Sequence, residues 1–207
     1  LLVVNKPSGI AVHGGSGVAY GLIEGLRAAT GKKYLELIHR IDRDTSGLVM
    51  ISKKRSTLKL VQDLLREHKI QKTYAAIVKG QVSLDQQLID APLFRYELAN
   101  GERRVRVSKE GKPSKTEWNV VERFKAATLV HASPLSGRTH QIRVHGLSIG
   151  HPLIGDDKYG HSTAYAGAEV RRLCLHAMRL QIPGYPTIEA PMPEDMQQVL
   201  NELRKHK

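Results

Sequence analysis

The densest chemistry in the chain lies in His39-Arg40-Ile41-Asp42-Arg43-Asp44-Thr45-Ser46-Gly47-Leu48, where five ionisable side chains and two hydroxyls fall within ten residues. Guanidinium groups favour the charged form of a neighbouring carboxyl, so Arg40 and Arg43 allow Asp42 and Asp44 to stay ionised at neutral pH. An ionised carboxylate is the starting point for nucleophilic or general-base chemistry. On these grounds alone a polar turn is the simpler account. Asp and Ser stabilise turns through their own backbone, and Thr45-Ser46-Gly47 is turn chemistry.

The flanking pattern predicts how this loop is held. Residues 35–38 and 48–52 read as strands on either side of it, and Leu58, Val61, Leu64, Leu65 and His68 carry helical spacing behind it. Upstream, Leu1-Leu2-Val3-Val4 runs into Asn5-Lys6-Pro7-Ser8-Gly9 as a strand ending in a tight turn. His13-Gly14-Gly15-Ser16-Gly17 reads as a loop before a helix over about residues 18–29. Downstream, strands are expected over 72–80, 102–107, 116–124, 128–132 and 173–182, and a short helix over 139–149 entered from Ser136-Gly137-Arg138. A last helix buries Met196, Val199, Leu200 and Leu203 behind Pro193, leaving Arg204-Lys205-His206-Lys207 as a solvated tail. No repeat or linker interrupts the 207 residues, so one domain over 1–207 is expected, built on a mixed or antiparallel sheet. The chain opens directly on a strand without Met, which predicts further sequence ahead of it.

Several chemistries are excluded by what is missing. Gly31 is followed by Lys32-Lys33-Tyr34, so no Walker phosphate loop is present. Ten histidines invite a metal, but His140 and His145 stand five apart with no carboxylate between them, and no metal is expected. A zinc deaminase would need Pro-Cys-x-x-Cys, which the single Cys174 rules out. That same lone cysteine, in an apolar strand, reads as an inert buried thiol in a reducing cytoplasm. No apolar run reaches the ~18 residues of a membrane span.

Charge points to the partner. Lys and Arg number 32 against 20 Asp and Glu, a formal +12, which is the electrostatic footprint of a polyphosphate ligand. An anionic membrane would instead need a basic amphipathic helix with Trp or Phe on its apolar face. Arg104 and Arg106 share a strand face with Glu102, and RNA phosphates or plain solvent account for them equally.

The loop at 39–48 strongly resembles the signature His-Arg-Leu-Asp-x-x-Thr-Ser-Gly of the pseudouridine synthases that modify ribosomal RNA, with Ile41 where Leu is usual. The resemblance runs over nearly the whole chain. Asn5-Lys6-Pro7-Ser8-Gly9 looks like the first family motif, Lys72-Thr73-Tyr74 like the next, and Gly137-Arg138-Thr139-His140-Gln141-Ile142-Arg143-Val144-His145 like the third. Stretches outside the motifs, such as Ile188-Glu189-Ala190-Pro191-Met192, resemble a subgroup acting on the large ribosomal subunit.

The resemblance implies an α+β catalytic fold with a mixed, largely antiparallel sheet, flanking helices and loops, and an active-site cleft across the sheet. It implies a cofactor-free isomerisation of uridine in large-subunit (23S) ribosomal RNA, in which the base is detached, turned and rejoined through carbon. Asp42 is then the catalytic carboxylate, as nucleophile or as base. Arg143 pairs with it, Tyr74 stacks on the target base, and Arg40 enters the gap left by the extruded nucleotide or pairs with Asp44. Lys6-Pro7 supports the loop. The expected form is a cytoplasmic monomer without the small S4-like RNA-binding module that often precedes this domain. A non-catalytic RNA-binding or ribosome-assembly protein on the same fold, and a glycosylase that releases free uracil, are the alternatives.

Overall fold

The computed structural model describes residues 1–15, 20–160 and 164–207. Ser16 and Gly17 of the glycine-rich loop, and Val18 and Ala19 of the predicted helix, lie outside the described residues. The chain divides into two units, Leu1–Lys72 with His176–Pro191, and Thr73–Leu175 with Met192–Lys207.

In chain order the first unit holds β1 (Leu2–Lys6), α1 (Leu22–Thr30), β2 (Glu36–Leu37), β3 (Ser46–Ser52) and α2 (Arg55–Arg66). The chain passes to the second unit along β4 (Gln71–Lys79), followed by β5 (Gln86–Asp90), β6 (Leu93–Glu97), β7 (Arg103–Val107), β8 (Lys115–Arg123) and β9 (Ala127–Pro134). Next come α3 (Gln141–Ser148), β10 (Ala164–Tyr165) and β11 (Ala168–Glu169). The chain then returns through β12 (Leu175–Gln181) and β13 (Ile188–Glu189) before α4 (Glu194–Arg204) closes the second unit. No helix among the described residues is long and apolar enough to cross a membrane.

In the first unit β3 is buried along its whole length, which suits a near-continuous apolar run covered on both faces. It pairs antiparallel with β1 (Val3 opposite Met50) and with β2, and parallel with β12 (Ser46 opposite His176, Gly47 opposite Ala177). Leu48, Met50, Val61, Leu180 and Ile182 form the core, with Leu58, Leu64 and Leu65 of α2 packed on it. The sequence places His68 on this helix, but the helix ends two residues earlier. His68 adopts a left-handed conformation (φ 56°), its N–H donating to the Leu65 carbonyl while the Lys69 N–H donates to that of Leu64. That is a Schellman stop, built here on a non-glycine residue.

Helix α1 likewise begins at Leu22. Its first N–H groups, on Leu22 and Ile23, are held by the carbonyls of Ala11 and Val12 at 2.8 and 3.0 Å. Gly21 lies against the His13 backbone, where a Cβ would come within 2.6 Å. These contacts keep Tyr20 and Gly21 out of the helix.

The second unit carries an antiparallel sheet in the order β4, β9, β8, β5, with a bulge in β8 between Val120 and Glu122. Trp118 and Phe124 fill its core. A separate antiparallel hairpin pairs β6 with β7, Arg95 opposite Val105. The predicted basic tail is partly helical and anchored. Arg204 ends α4 and meets the Glu122 carboxylate at 3.0 Å, as Lys207 does at 2.8 Å. The α+β class and the mixed, largely antiparallel pairing agree with the expectation from sequence.

Candidate active site

The 39–48 loop is held from below and from the side within the first unit. Ile38 donates its N–H to the Met50 carbonyl, and the Met50 N–H donates to His39 Nε2 at 2.9 Å, so the imidazole accepts there and carries its proton on Nδ1. The Thr45 N–H closes a turn onto the Asp42 carbonyl at 3.1 Å. The fully buried Lys6 ammonium donates to the carbonyls of Pro7 (2.8 Å) and Arg43 (2.9 Å). Gly9 N–H also reaches Arg43, and the Ser8 hydroxyl reaches the Asp44 carbonyl at 2.6 Å. The Asn5–Gly9 motif thus grips the backbone on the C-terminal side of Asp42. Asp42 itself is half-buried and Arg40 exposed. Asp44 pairs with Arg43 at 3.3 Å, and among the described residues no ion pair joins it to Arg40.

Gly47 sets the floor of the loop. Its φ is +112°, and a Cβ there would lie 2.2 Å from the Ala177 carbonyl oxygen on β12. Beside it, the Ser46 hydroxyl meets His176 Nδ1 at 2.7 Å, while His176 Nε2 donates to the Ala190 carbonyl at 3.0 Å. The carbonyl can only accept, so Nδ1 must take the Ser46 proton. A Gly47→Ala substitution combines a strained backbone with a clash against main chain. It should destabilise the first unit by about 3 kcal/mol or more, read from the denaturant midpoint, and an unshifted midpoint would remove this account of the glycine.

Burial first, and the Lys72 charge second, pull the His39 pKa from 6.5 down to about 3. The unfolded chain therefore takes up this proton at higher pH than the folded one. Stability conferred by neutral His39 is present above pH 6.5 and is lost as pH falls toward 3. His39→Gln, which can still accept from Met50, should flatten the decline of the urea midpoint between pH 7 and 5. Equal slopes would show that His39 is not its source.

In the second unit Tyr74 lies buried on β4 opposite Ala132. Arg143, on α3, is 4% exposed and grips the fully buried Asp156 with two parallel hydrogen bonds, Nε to Oδ2 and Nη2 to Oδ1, both 2.7 Å. Asp156 Oδ1 also accepts the N–H groups of Lys158 (3.0 Å) and Tyr159 (3.1 Å). Burial pushes the Asp156 carboxyl up, but the Arg143 bonds and charge and these two N–H groups together hold it below its usual range. The Tyr159 ring lies 5.2 Å from the guanidinium carbon. Neither Asp156 nor Tyr159 was expected from the sequence. The signal for them is the glycine-bracketed run Gly155-Asp156-Asp157-Lys158-Tyr159-Gly160, which carries no chemistry until Arg143 is seen beside it.

Helix α3 is fixed to β8 by a directional chain. Ser136 donates to Gln141 Oε1 (2.7 Å), and Gln141 Nε2 donates to Thr116 Oγ1 (3.0 Å). Thr116 donates to His145 Nδ1 (2.7 Å), and His145 Nε2 donates to the Ala91 carbonyl (2.9 Å). The β6–β7 hairpin borders an open cleft of about 720 Å³ lined in part by Phe94, Arg95, Tyr96, Arg103, Lys112 and Arg138. Glu102 and Arg104 do share a face, and pair at 3.2 Å. Arg106 is exposed and lies over the Phe94 and Tyr96 rings at 5.3 and 5.7 Å. Cys174 is buried, which pushes its thiol up to about 12 and leaves no thiolate at neutral pH.

A carboxylate on a loop whose backbone is held by a buried lysine, and a buried helix arginine clamped by a second carboxylate, coincide with the motifs of one family. The sequence profile described as RNA pseudouridylate synthase matches residues 1–148, and the chain belongs to that family of enzymes. Ribosomal large subunit pseudouridine synthase C of Escherichia coli (strain K12) is 50% identical over 99% of this chain and 67% of its own length. The protein of the same name from Pasteurella multocida (strain Pm70) is 48% identical over all of this chain and 66% of its own. The chain thus spans about two thirds of these relatives. Among solved structures, human RNA Pseudouridylate Synthase Domain Containing 4 matches with a TM-score of 0.79 at 25% identity, covering 98% of this chain and 89% of that one. Human RNA Pseudouridylate Synthase Domain Containing 1 matches at 0.74 and 26%, covering 93% and 79%.

Proposed function

We propose that this chain converts uridine to pseudouridine in large-subunit ribosomal RNA, with Asp42 as the carboxylate on which the reaction depends. The observation that carries the reading is the intact 39–48 loop, gripped by Lys6 and Ser8, in a chain about half identical to enzymes named for that activity.

The chemistry is an isomerisation. The bond from C1′ to N1 breaks, the base turns while it is held in the site, and C1′ bonds to C5. The C5 proton then leaves and N1 gains one, so no cofactor or redox partner is required. Asp42 initiates the cleavage as nucleophile or as base. Arg143 holds and orients the Asp42 carboxylate, Tyr74 stacks on the base, and Arg40 fills the gap left in the RNA. Unstacking the nucleotide costs about a few kcal/mol, which a cation at the gap offsets in part. The net charge and the cationic cleft beside β6–β7 supply salt-dependent affinity for RNA phosphate. We place the enzyme in the cytoplasm, acting as a monomer.

The test uses large-subunit ribosomal RNA carrying tritium at C5 of uridine. Tritium release without free uracil is expected. Release of uracil would make the protein a glycosylase, and RNA binding with no tritium release would favour a non-catalytic role.

A further inference from the structure

We propose that residues 155–160 form a strap coupling the β6–β7 hairpin to Arg143, with Tyr159 as the positioning residue that carries the coupling; this rests on the role given to Arg143 above. The strap touches both ends. Toward α3, Asp156 clamps Arg143, and the Tyr159 ring lies beneath the guanidinium. Toward the hairpin, Arg104 Nη1 donates to the Lys158 carbonyl (3.2 Å), Lys158 Nζ donates to Glu102 (2.9 Å), and the Val105 N–H donates to the Tyr159 hydroxyl (3.0 Å).

The strap itself is anchored at each end. Gly155 lies so close to the Arg172 carbonyl that a Cβ would come within 2.0 Å of it, and the Gly160 carbonyl accepts from Lys79 Nζ. Between those points Asp156 accepts two of the strap's own N–H groups, so it has little freedom to move without moving Arg143.

Tyr159 adds a third contact, which makes it a junction. Its hydroxyl accepts from Val105 and lies 2.7 Å from His140 Nδ1. The hydroxyl has a second lone pair as well as its own proton, so it bonds His140 as acceptor or as donor. Burial pushes the phenol up to about 12, so the hydroxyl keeps its proton at neutral pH. His140 precedes α3 in a left-handed conformation, φ 53°, which a non-glycine residue keeps only when its surroundings hold it there. One hydroxyl therefore joins the edge of the hairpin to the first turn of the helix that bears Arg143. RNA seated on the hairpin is felt at Arg143 through this junction and changes the rate of reaction rather than the affinity.

Single-turnover tritium release at saturating RNA, with RNA affinity measured separately, tests the coupling. Tyr159→Phe keeps the ring and removes only the junction. Its rate at saturation should fall about tenfold while Kd stays within about twofold, in the range of couplings through packed networks. Tyr159→Phe placed on Arg143→Lys, which keeps a cation beside Asp156, should cause no further loss. A rate at saturation equal to the parent's, or a loss that multiplies in full on Arg143→Lys, overturns the proposal. If Arg143→Lys itself turns over at the parental rate, the role given to Arg143 falls and the strap's function falls with it.

Discussion

Asp42→Asn should release tritium from C5-labelled ribosomal RNA at least about 10⁴-fold more slowly than the parent, the scale on which loss of a residue essential to covalent catalysis is felt. The substitution removes a negative charge and a nucleophile while keeping size, with one acceptor oxygen becoming an amide donor. The hydrogen bonds from the Asn5–Gly9 motif and from Thr45 that hold the loop run to its backbone rather than to this carboxylate. The Thr45 N–H bonds to the Asp42 backbone carbonyl, and Lys6, Ser8 and Gly9 bond to carbonyls of residues 43 and 44. Folding and RNA affinity should therefore survive, and filter-binding Kd should stay within about threefold. An Asp42→Asn protein with near-parental turnover would place the chemistry elsewhere. One that neither folds nor binds would make Asp42 a structural residue.

The second large effect concerns stability. Asp156→Ala should destabilise the protein by about 3–5 kcal/mol, because the edge of Arg143 formed by Nε and Nη2 loses its carboxylate at 4% exposure. Urea unfolding measures this directly. The pair need not be a net source of stability, since desolvation of both charges opposes it. An Arg143→Met, Asp156→Leu double variant should accordingly regain part of the loss while remaining inactive, the Lys158 and Tyr159 N–H groups still lacking the Asp156 acceptor. That outcome would separate what Arg143 does for chemistry from what it costs the fold. A loss below about 1 kcal/mol for Asp156→Ala would mean that the clamp is easily replaced by water.

The sequence was most legible where residues keep both a period and a chemical identity. β3 and β4, the helix faces of α2 and α4, and the 39–48 loop were all read close to their observed bounds. Element ends were less so, because backbone contacts from far along the chain decide them: the Ala11 and Val12 carbonyls start α1, and the turn at His68 stops α2. Strands β5 and β6 went unread. Gln86-Gln87-Leu88-Ile89-Asp90 pairs one edge of β8, and Leu93-Phe94-Arg95-Tyr96-Glu97 exists through its pairing with β7, so neither has an alternation strong enough to stand alone. Asp156 was invisible for a similar reason. Its meaning lies in a partner 13 residues away on a helix, and charge pattern does not carry that distance. Arg104, read as a choice between RNA and solvent, proves to be bonded to Glu102 and to the Lys158 carbonyl.

The loop that bears Asp42 is completed late in the life of the chain. Its floor is the parallel pairing of Ser46 and Gly47 with His176 and Ala177, and the bond from Ser46 to His176 spans 130 residues. Contacts of such sequence separation form slowly, after the entropy of closing a long loop has been overcome. On a translating ribosome β3 and α2 emerge well before the strand that finishes them. A nascent chain halted ahead of His176 would display the whole His39–Leu48 sequence and still lack the surface on which that loop rests.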